Sequence, residues 1–323
     1  MKEKKRLVVL AVAVVLVAMI LLLAGLRKPP QKKVGICFGD VYSVNWHEQI
    51  QKTLEKGGYA VQSDSASGDP AQQTQCVRQL IDSEMDLLIV EAVSTQSAQE
   101  AAALAKDAKI PLIFIGQDPG QAVLDSWEQI CYVGCKSEQA GALQGSVLQG
   151  IGNQGDMNGD GMISYLILAG PETDVRAKTL TESCRSALAE QELGVVEIGT
   201  LWGTWDEAAA RTACAQALAQ YGKDIEVIFC GSDEIASGAQ KAIANGGWTV
   251  GEDYYLLGIG GRDGAVQMVL NGTLTATVSE GGQKQGQKIL ELAQKLQNEE
   301  AVEKYSYIEP EIITAGNAKE FSS

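Results

Sequence analysis

The chain has 323 residues, of which 45% are hydrophobic and 21% are charged, so it has the composition of a globular protein and room for two domains. Its formal net charge is −15, and the first 28 residues are basic, so the remainder is more acidic still. Nucleic acids and anionic membrane surfaces attract basic patches, so neither is expected as a partner.

Residues 1–28 are predicted to form a membrane anchor or signal segment. Four basic side chains among the first six residues precede an uncharged apolar run over 7–26, and about twenty residues suffice to cross a bilayer core. The run is longer than a usual signal-peptide core, and no persuasive cleavage site follows it, so an uncleaved anchor is favoured and a cleaved signal peptide is the alternative. Residues 29–33, with Pro29 and Pro30, form a linker.

From residue 33 the chain alternates short apolar runs with amphipathic stretches typical of helices. The predicted strands are Val34–Phe38, Leu87–Val90, Leu112–Ile115, Ser164–Ala169, Val195–Leu201, Glu226–Cys230, Tyr255–Ile259 and Thr275–Ser279. This alternation predicts βαβ units with mainly parallel sheets covered on both faces. The alternation of strands and helices begins a second time after Cys131–Gly134, so we expect an α/β protein of two Rossmann-like lobes.

Seven cysteines and one histidine limit the chemistry of metal and nucleophilic sites. The cysteines stand among apolar neighbours without the spacing of zinc ligands, and His47 alone cannot complete a catalytic triad or a zinc site. Most cysteines are therefore expected in the core. Cys131 and Cys135 could meet if the segment between them turns.

The segment Asp156–Ser164 has the pattern of a calcium loop. Side-chain oxygens stand at positions 1, 3 and 5, glycine at position 6, and Ser164 at position 9. Position 12, which should be a bidentate glutamate, is Ile167 in an apolar run, so further oxygens must come from elsewhere. A metal-free turn rich in Asn, Asp and Gly is the alternative. A dockerin-type module would need a second copy of the loop, which the sequence lacks.

Polar and aromatic residues follow the predicted strands, where ligands of open parallel sheets bind. They are Asp40, Tyr42, Trp46, Glu91, Glu172, Asp174, Lys178, Trp205, Asp206, Ser232, Asp233 and Glu280. Aromatic faces stack on the C–H faces of sugars, and carboxylates accept hydrogen bonds from hydroxyls, so this set favours a carbohydrate site. Taken singly, an Asp after a strand is more often a helix cap, and a Trp more often part of the core.

With these landmarks the chain resembles the galactose/glucose-binding proteins of the type I periplasmic binding protein family. The resemblance runs from Val34 to Phe321 and rests on Tyr132-Val133-Gly134, the calcium loop, Trp205-Asp206, residues 225–228 and Thr277-Val278. It implies two lobes joined by three crossings. Residues 33–135 and 281–309 would form the N-terminal lobe, and residues 137–278 and 313–323 the C-terminal lobe with its calcium loop 156–164.

The resemblance also implies the ligands of the calcium ion. They are Asp156, Asn158, Asp160, the carbonyl of Met162, Ser164 and Glu226. In the family a distant glutamate at the start of a strand binds bidentately, and by matching this falls on Glu226. Ser164 stands where the family has a longer glutamine. The expected role of calcium is to stiffen the second lobe.

For the sugar site, the resemblance implies ligand residues one position at a time. Asp174, Trp205 and Asp233 fall on matching positions, and Glu172 lies on the same loop as Asp174. Trp46 would supply the facing aromatic residue, with a one-residue gap in the loop before it. Lys178 replaces an arginine; Glu91, Glu280 and Ser232 replace asparagines; and Gly260 replaces an aspartate. The pocket would then be acidic around one lysine. We expect a monosaccharide as ligand, with an amino sugar or polyamine as the alternative, since carboxylates suit an amine.

The implied function is that of an extracytoplasmic solute-binding protein. Ligand between the lobes favours the closed form, which the membrane subunits of an ABC transporter or a membrane sensor would recognise. The chain is expected to be a monomer. Loss of ligand binding with retention of the fold also stays open.

An enzyme is the main alternative from another class. Gly258–Gly264 imitates a dinucleotide-binding turn, but it stands late in the chain and fits a tight strand-to-helix turn equally well. Glu172 and Asp174 lie on one short loop and would not flank a glycosidic bond. A repressor of the same fold would carry a DNA-binding domain in place of the apolar segment. We therefore expect a binding protein.

Overall fold

The computed structural model describes residues 31–39 and 44–322. The predictions for the membrane segment 1–28 and for Asp40 and Tyr42 lie outside these residues. Within them, no helix is long and apolar enough to cross a membrane.

The described residues contain twelve strands. They are β1 Lys33–Phe38, β2 Ala60–Ser65, β3 Leu87–Glu91, β4 Leu112–Ile115, β5 Ile130–Gly134, β6 Met162–Ala169, β7 Gly194–Trp202, β8 Val227–Cys230, β9 Tyr255–Gly260, β10 Ala276–Ser279, β11 Tyr305–Tyr307 and β12 Glu311–Thr314.

The same residues contain ten α-helices. They are α1 Val44–Lys56, α2 Pro70–Asp82, α3 Thr95–Ala108, α4 Gln121–Leu124, α5 Ser137–Ser146, α6 Val175–Ala189, α7 Glu207–Tyr221, α8 Asp233–Asn245, α9 Asp263–Leu270 and α10 Gly282–Gln297. Short 3₁₀ turns cover Val147–Gly150, Gly222–Asp224 and Ala318–Glu320.

The strands form two six-stranded sheets, and each sheet is the centre of one lobe. The first lobe has the order β11-β5-β4-β3-β1-β2, with every pair parallel. The second lobe has the order β12-β10-β9-β8-β6-β7, in which β12 alone runs antiparallel to its neighbour. The predicted α/β fold of two lobes with mainly parallel sheets is confirmed.

Each sheet is covered by helices on both faces, because its central strands are apolar on both sides. In the first lobe, Ile50 of α1 and Ile289 of α10 pack on one face of the sheet, and Leu80 of α2 packs on the other. In the second lobe, α7, α8 and α9 share one apolar cluster, while α6 contributes Leu188 to another. Removing this apolar surface from water is the main contribution to stability.

The chain passes between the two sheets three times within the described residues: between β5 and α5, between β10 and α10, and between β11 and β12. An ion pair between Lys284 of α10 and Glu311 of β12 spans the lobes beside the last two passages, at 2.7 Å. The strands that these passages join are neighbours in each sheet, β5 with β11 and β10 with β12, which suits a hinge.

Among the differences from the sequence predictions, one concerns a strand and one a pair of cysteines. The strand β2 was missed because Ala60–Ser65 is largely polar and lies at the edge of its sheet. Cys131 and Cys135 do not meet, because the segment is the extended strand β5, in which four residues span about 13 Å. Cys131 is fully buried in the first lobe, and Cys135 follows the strand at the first passage.

Candidate ligand-binding cleft

A cavity of about 1290 Å³ opens between the lobes at the carboxyl ends of both sheets. The first lobe contributes Trp46 and the residues that follow β4 and β5, and the second lobe contributes the starts of α6 and α9. Of the predicted ligand residues, Trp46, Asp174 and Glu280 line the cavity. The described residues of both lobes therefore form one cleft with polar and aromatic walls.

Asp174 and Trp205 form a fixed polar corner of the second lobe. Asp174 is the N-cap of α6, and its Oδ1 accepts hydrogen bonds from the N–H groups of Arg176 and Ala177 at 2.7 and 3.2 Å. Its Oδ2 accepts from the indole N–H of Trp205 at 3.1 Å. A Cβ atom at Gly170 would lie 2.4 Å from the indole ring, so this position of Trp205 requires a glycine there.

Arg176 lines the cleft in place of the predicted Lys178. The Nη2 atom of Arg176 donates to both carboxylate oxygens of Glu280, each at 2.8 Å, and its guanidinium lies 5.3 Å from the ring centre of Trp205. Both partners of the ion pair are only 16% exposed. Lys178 is exposed and lies outside the cleft lining. Two residues of an α-helix differ by about 200° in direction, so the helix turns Lys178 away from the cleft.

The predicted pocket, acidic around one lysine, is therefore corrected. Glu280 is paired with Arg176, and a second guanidinium, that of Arg262, forms an ion pair with Glu234 and also lines the cleft. Glu280, one of the predicted ligand carboxylates, is thus held in an ion pair at the cleft wall.

Ser232 and Asp233 start the helix α8 and lie behind the cleft lining. Ser232 is the N-cap of the helix, and its Oγ accepts from the N–H of Ile235 at 3.2 Å. Asp233 is 5% exposed; its carboxylate accepts from the hydroxyl of Thr277 at 2.6 Å and from the N–H of Arg262 at 3.0 Å. Burial raises the pKa of Asp233, because the charged form loses its hydration. Asp233 therefore fixes the loop before α9.

Glu91 is fully buried at the end of β3 and does not line the cleft. Its Oε2 accepts from the N–H of Gly39 at 2.8 Å and lies 3.0 Å from Nε2 of His47, whose ring stacks on Phe38 at 3.8 Å. Its Oε1 has no hydrogen-bond partner among the residues that the structure describes. Glu172 is exposed and lies outside the cleft lining.

Glu226 closes the loop 156–164, to which the sequence assigned calcium. Its side chain is buried, and its Oε1 accepts from the N–H groups of Met157 and Asn158 at 2.8 and 3.0 Å. Its Oε2 accepts from both the N–H and the hydroxyl of Ser164, at 2.8 and 2.9 Å. The glutamate that the resemblance matched to the loop therefore contacts it, although it is distant in sequence.

The loop itself is held by its own side-chain oxygens. Asp156 accepts from the N–H groups of Gly159 and Gly161 at 2.6 and 2.9 Å, Asn158 accepts from Asp160 at 2.8 Å, and Asp160 accepts from Met162 at 2.9 Å. The donor set consists of oxygens, which suits a hard cation. However, the carboxylates accept hydrogen bonds from N–H groups. Within residues 31–39 and 44–322, no three His, Cys, Asp or Glu side chains are arranged so that they could hold a metal ion.

Sequence reasoning missed several residues of the cleft. Arg262 was noted only as part of a glycine-rich turn, and Asp118, three residues after the end of β4, was overlooked although residues after strands were inspected. Tyr132 and Tyr307 line the cleft beside the hinge, and Lys136 lies 4.7 Å above the ring of Tyr307. The position of Asp118 after a strand was a usable signal. Tyr132 stands in a strand that is buried throughout and Tyr307 in a strand of three residues, and neither gave a signal.

Comparisons with known proteins agree with this architecture. Residues 36–301 match the model of the periplasmic binding protein domain. Among curated proteins, the chain is 27% identical to a D-galactose/methyl-galactoside binding periplasmic protein of Haemophilus influenzae, over 79% of this chain and 78% of the relative. It is 26% identical to a putative rhizopine-binding protein of Rhizobium meliloti, over 86% of each.

Solved structures show the same fold. An ABC transporter periplasmic solute-binding protein of Actinobacillus succinogenes with bound D-allose aligns with a TM-score of 0.79 at 18% identity, over 90% of this chain and 100% of that one. A solute-binding protein of Bacillus halodurans with bound myo-inositol aligns with a TM-score of 0.74 at 23% identity, over 90% and 97%. The family model covers most of the chain, and the chain therefore belongs to the periplasmic binding protein domain family, a family of binding proteins and not of enzymes.

Proposed function

We propose that the chain is an extracytoplasmic solute-binding protein whose ligand is a neutral monosaccharide or a related polyol bound between the two lobes. The observation that carries this proposal is a set of oriented polar groups in the cleft lining: Asp174, which Trp205 holds by a hydrogen bond, and Arg176, which is paired with Glu280. A guanidinium only donates hydrogen bonds and a carboxylate only accepts them, whereas a sugar hydroxyl does both. Adjacent hydroxyls of one sugar can therefore be bound by such a pair.

The two carboxylates on which the amine alternative depends give an amine ligand little support. The amine alternative depends on Glu91 and Glu280, but Glu280 is paired with Arg176, and Glu91 is buried behind the cleft lining. One relative is named for D-galactose, and two aligned structures contain D-allose and myo-inositol. Each of these compounds is an uncharged polyol.

Ligand contacts to both walls of the cleft would favour the closed form. Trp46 of the first lobe and Arg176 of the second line the same cavity, so a ligand that touches both is bound more tightly when the lobes approach. The membrane subunits of an ABC transporter, or a membrane sensor, are the proposed partners that recognise the closed shape. The chain is proposed to act as a monomer.

Attachment to the cell membrane is proposed for residues 1–28. The support is the apolar run over 7–26 with basic residues before it. Full-length chain expressed in bacteria is expected in the membrane fraction after alkaline washing. Recovery in the soluble fraction, shortened at its N-terminus, would show a cleaved signal peptide instead.

Calcium is proposed to bind the loop 156–164. The support is its oxygen donor set and the approach of Glu226, which brings a third carboxylate to Asp156 and Asp160. These carboxylates would hold a hard cation after turning from their present N–H partners. A bound calcium ion would supply positive charge that offsets their mutual repulsion, and so stiffen the second lobe.

Isothermal titration calorimetry on the full chain in detergent tests the ligand class. We expect heat of binding with at least one of D-galactose, D-glucose, D-allose, D-ribose and myo-inositol, and a weaker response or none with D-galactosamine and spermidine. Tight binding of the amines with no response to the neutral compounds would contradict the proposal. If none of the compounds gives heat of binding, the sugar-binding function is wrong and only the assignment of the fold stands.

A further inference from the structure

We propose that Arg262 determines ligand specificity in the cleft, by donating hydrogen bonds to an oxygen acceptor of a neutral sugar and by excluding an ammonium group from that position. This inference rests on the proposed function and deepens it. Arg262 precedes the first residue of α9 and lines the cavity, with its side chain 18% exposed. It lies in the second lobe, as Arg176 does.

The backbone before Arg262 has a conformation that directs this residue toward the cleft. Gly260 and Gly261 have φ values of 140° and 68°, a region that side chains disfavour. A Cβ atom at Gly260 would lie 2.7 Å from Oδ2 of Asp233, and one at Gly261 would lie 2.5 Å from Ser279. The same Oδ2 accepts the N–H of Arg262 at 3.0 Å. The two glycines and the buried carboxylate therefore fix the point at which the Arg262 side chain leaves the backbone.

The side chain is held by an ion pair with Glu234. Glu234 lies in the first turn of α8, directly after Asp233, so one helix start fixes both the backbone and the guanidinium of Arg262. A guanidinium carries five N–H donors in one plane, so it can keep a carboxylate partner and still donate to a ligand oxygen. Holding the group in place before binding lowers the entropy lost on binding.

The neighbouring charges define the class of ligand. The ion pairs Arg262–Glu234 and Arg176–Glu280 both contribute residues to the cleft wall of the second lobe. Each guanidinium forms an ion pair with a glutamate, so neither requires an anionic group of the ligand as its partner. A hydroxyl or ring oxygen can accept from Arg262, whereas an ammonium group has only donors and would meet a like charge.

The test compares Arg262→Ala and Arg262→Lys with a matched control, Arg211→Ala. Arg211 is an exposed arginine on α7 in the same lobe and lies outside the cleft. Dissociation constants are measured by calorimetry on the full chain, using the neutral sugar that binds the wild type best and its amino-sugar analogue. Thermal unfolding of each variant shows whether it is folded.

We expect Arg262→Ala to weaken binding of the neutral sugar about 10- to 100-fold, which is the range for a hydrogen bond to a charged group. The same substitution should reduce the difference in affinity between the neutral sugar and the amino sugar. Arg262→Lys keeps the charge and the partner Glu234 but loses the planar guanidinium. Its affinity for the neutral sugar should therefore lie between those of Arg262→Ala and the wild type, and it should still bind the amino sugar more weakly than the neutral sugar. Arg211→Ala should bind as the wild type does.

Two results would overturn the inference. If the wild type binds a neutral sugar and both Arg262 variants bind it equally well, the assignment of Arg262 fails while the proposed function stands. If the wild type binds no neutral sugar, the proposed function fails and the inference falls with it. Should Arg262→Ala not fold, the same comparison is made with Arg262→Lys alone.

Discussion

Arg176 and Lys178 stand two residues apart, and the start of one helix decides which of them reaches the cleft. The sequence pointed to the right segment, because Asp174 and its neighbours follow a strand. It could not give the rotation of α6, which depends on the exact N-cap at Asp174. Matching by family position chose Lys178, whereas the structure places the guanidinium of Arg176 against Glu280 and Trp205.

Asp233 shows a similar limit at the scale of one residue. Its place after β8 was predictable. Two interpretations of its role stayed open, as a residue that binds the ligand and as a residue that caps a helix. Only the structure shows that Thr277 and the backbone of Arg262 occupy its carboxylate. Such long-range partners lie 44 and 29 residues away and leave no local pattern in the sequence.

The calcium proposal makes a prediction about single carboxylates. In the wild type, millimolar calcium should raise the unfolding temperature by several degrees, since a ligand at 100 times its dissociation constant adds about 2.7 kcal/mol. Asp160→Asn keeps an oxygen that can accept from Met162 but removes one charge, so it should fold normally and bind calcium about tenfold more weakly or worse.

Calorimetry with calcium, and with magnesium as control, checks this prediction. An unfolding temperature that stays the same with calcium and with chelator would mean that Glu226 closes the loop without a metal ion. Asp160→Asn would then behave as the wild type does in both conditions.

At the scale of elements, the apolar strands were predictable and the polar ones were not. β4 was predicted with the observed ends, Leu112–Ile115, because four buried apolar residues stand between polar turns. β3 extends one residue further than predicted, to Glu91, whose carboxylate is tied to Gly39. A charged residue normally argues against a buried strand end, so local patterning gave no reason to include it.

Helix starts around the cleft follow from local chemistry. Asp174 and Ser232 cap α6 and α8 through hydrogen bonds to N–H groups in the first turn. Asp174 was a capping candidate from sequence, whereas for α8 the candidate was Asp233 and the observed cap is the preceding Ser232. What the sequence could not decide is whether a cap also faces the ligand: Asp174 lines the cleft and Ser232 does not.

At the scale of the molecule, the two-lobe arrangement followed from the repeated βαβ rhythm and from the family resemblance. The antiparallel strand β12 and the short strand β11 were not predicted, because segments of three or four residues carry too little pattern. Both strands flank the last passage between the lobes, and Lys284 and Glu311 form an ion pair across it. The pair is exposed, so it contributes at most about 1 kcal/mol and would not prevent closure.

The central claim is that a neutral sugar binds between the lobes and closes them. Small-angle neutron scattering of the full chain in contrast-matched detergent, with and without a saturating neutral sugar, tests it most directly. The account predicts a smaller radius of gyration with the sugar and no change with its amino analogue at the same concentration. An unchanged radius of gyration, under conditions in which calorimetry shows the sugar bound, would contradict closure of the cleft on its ligand.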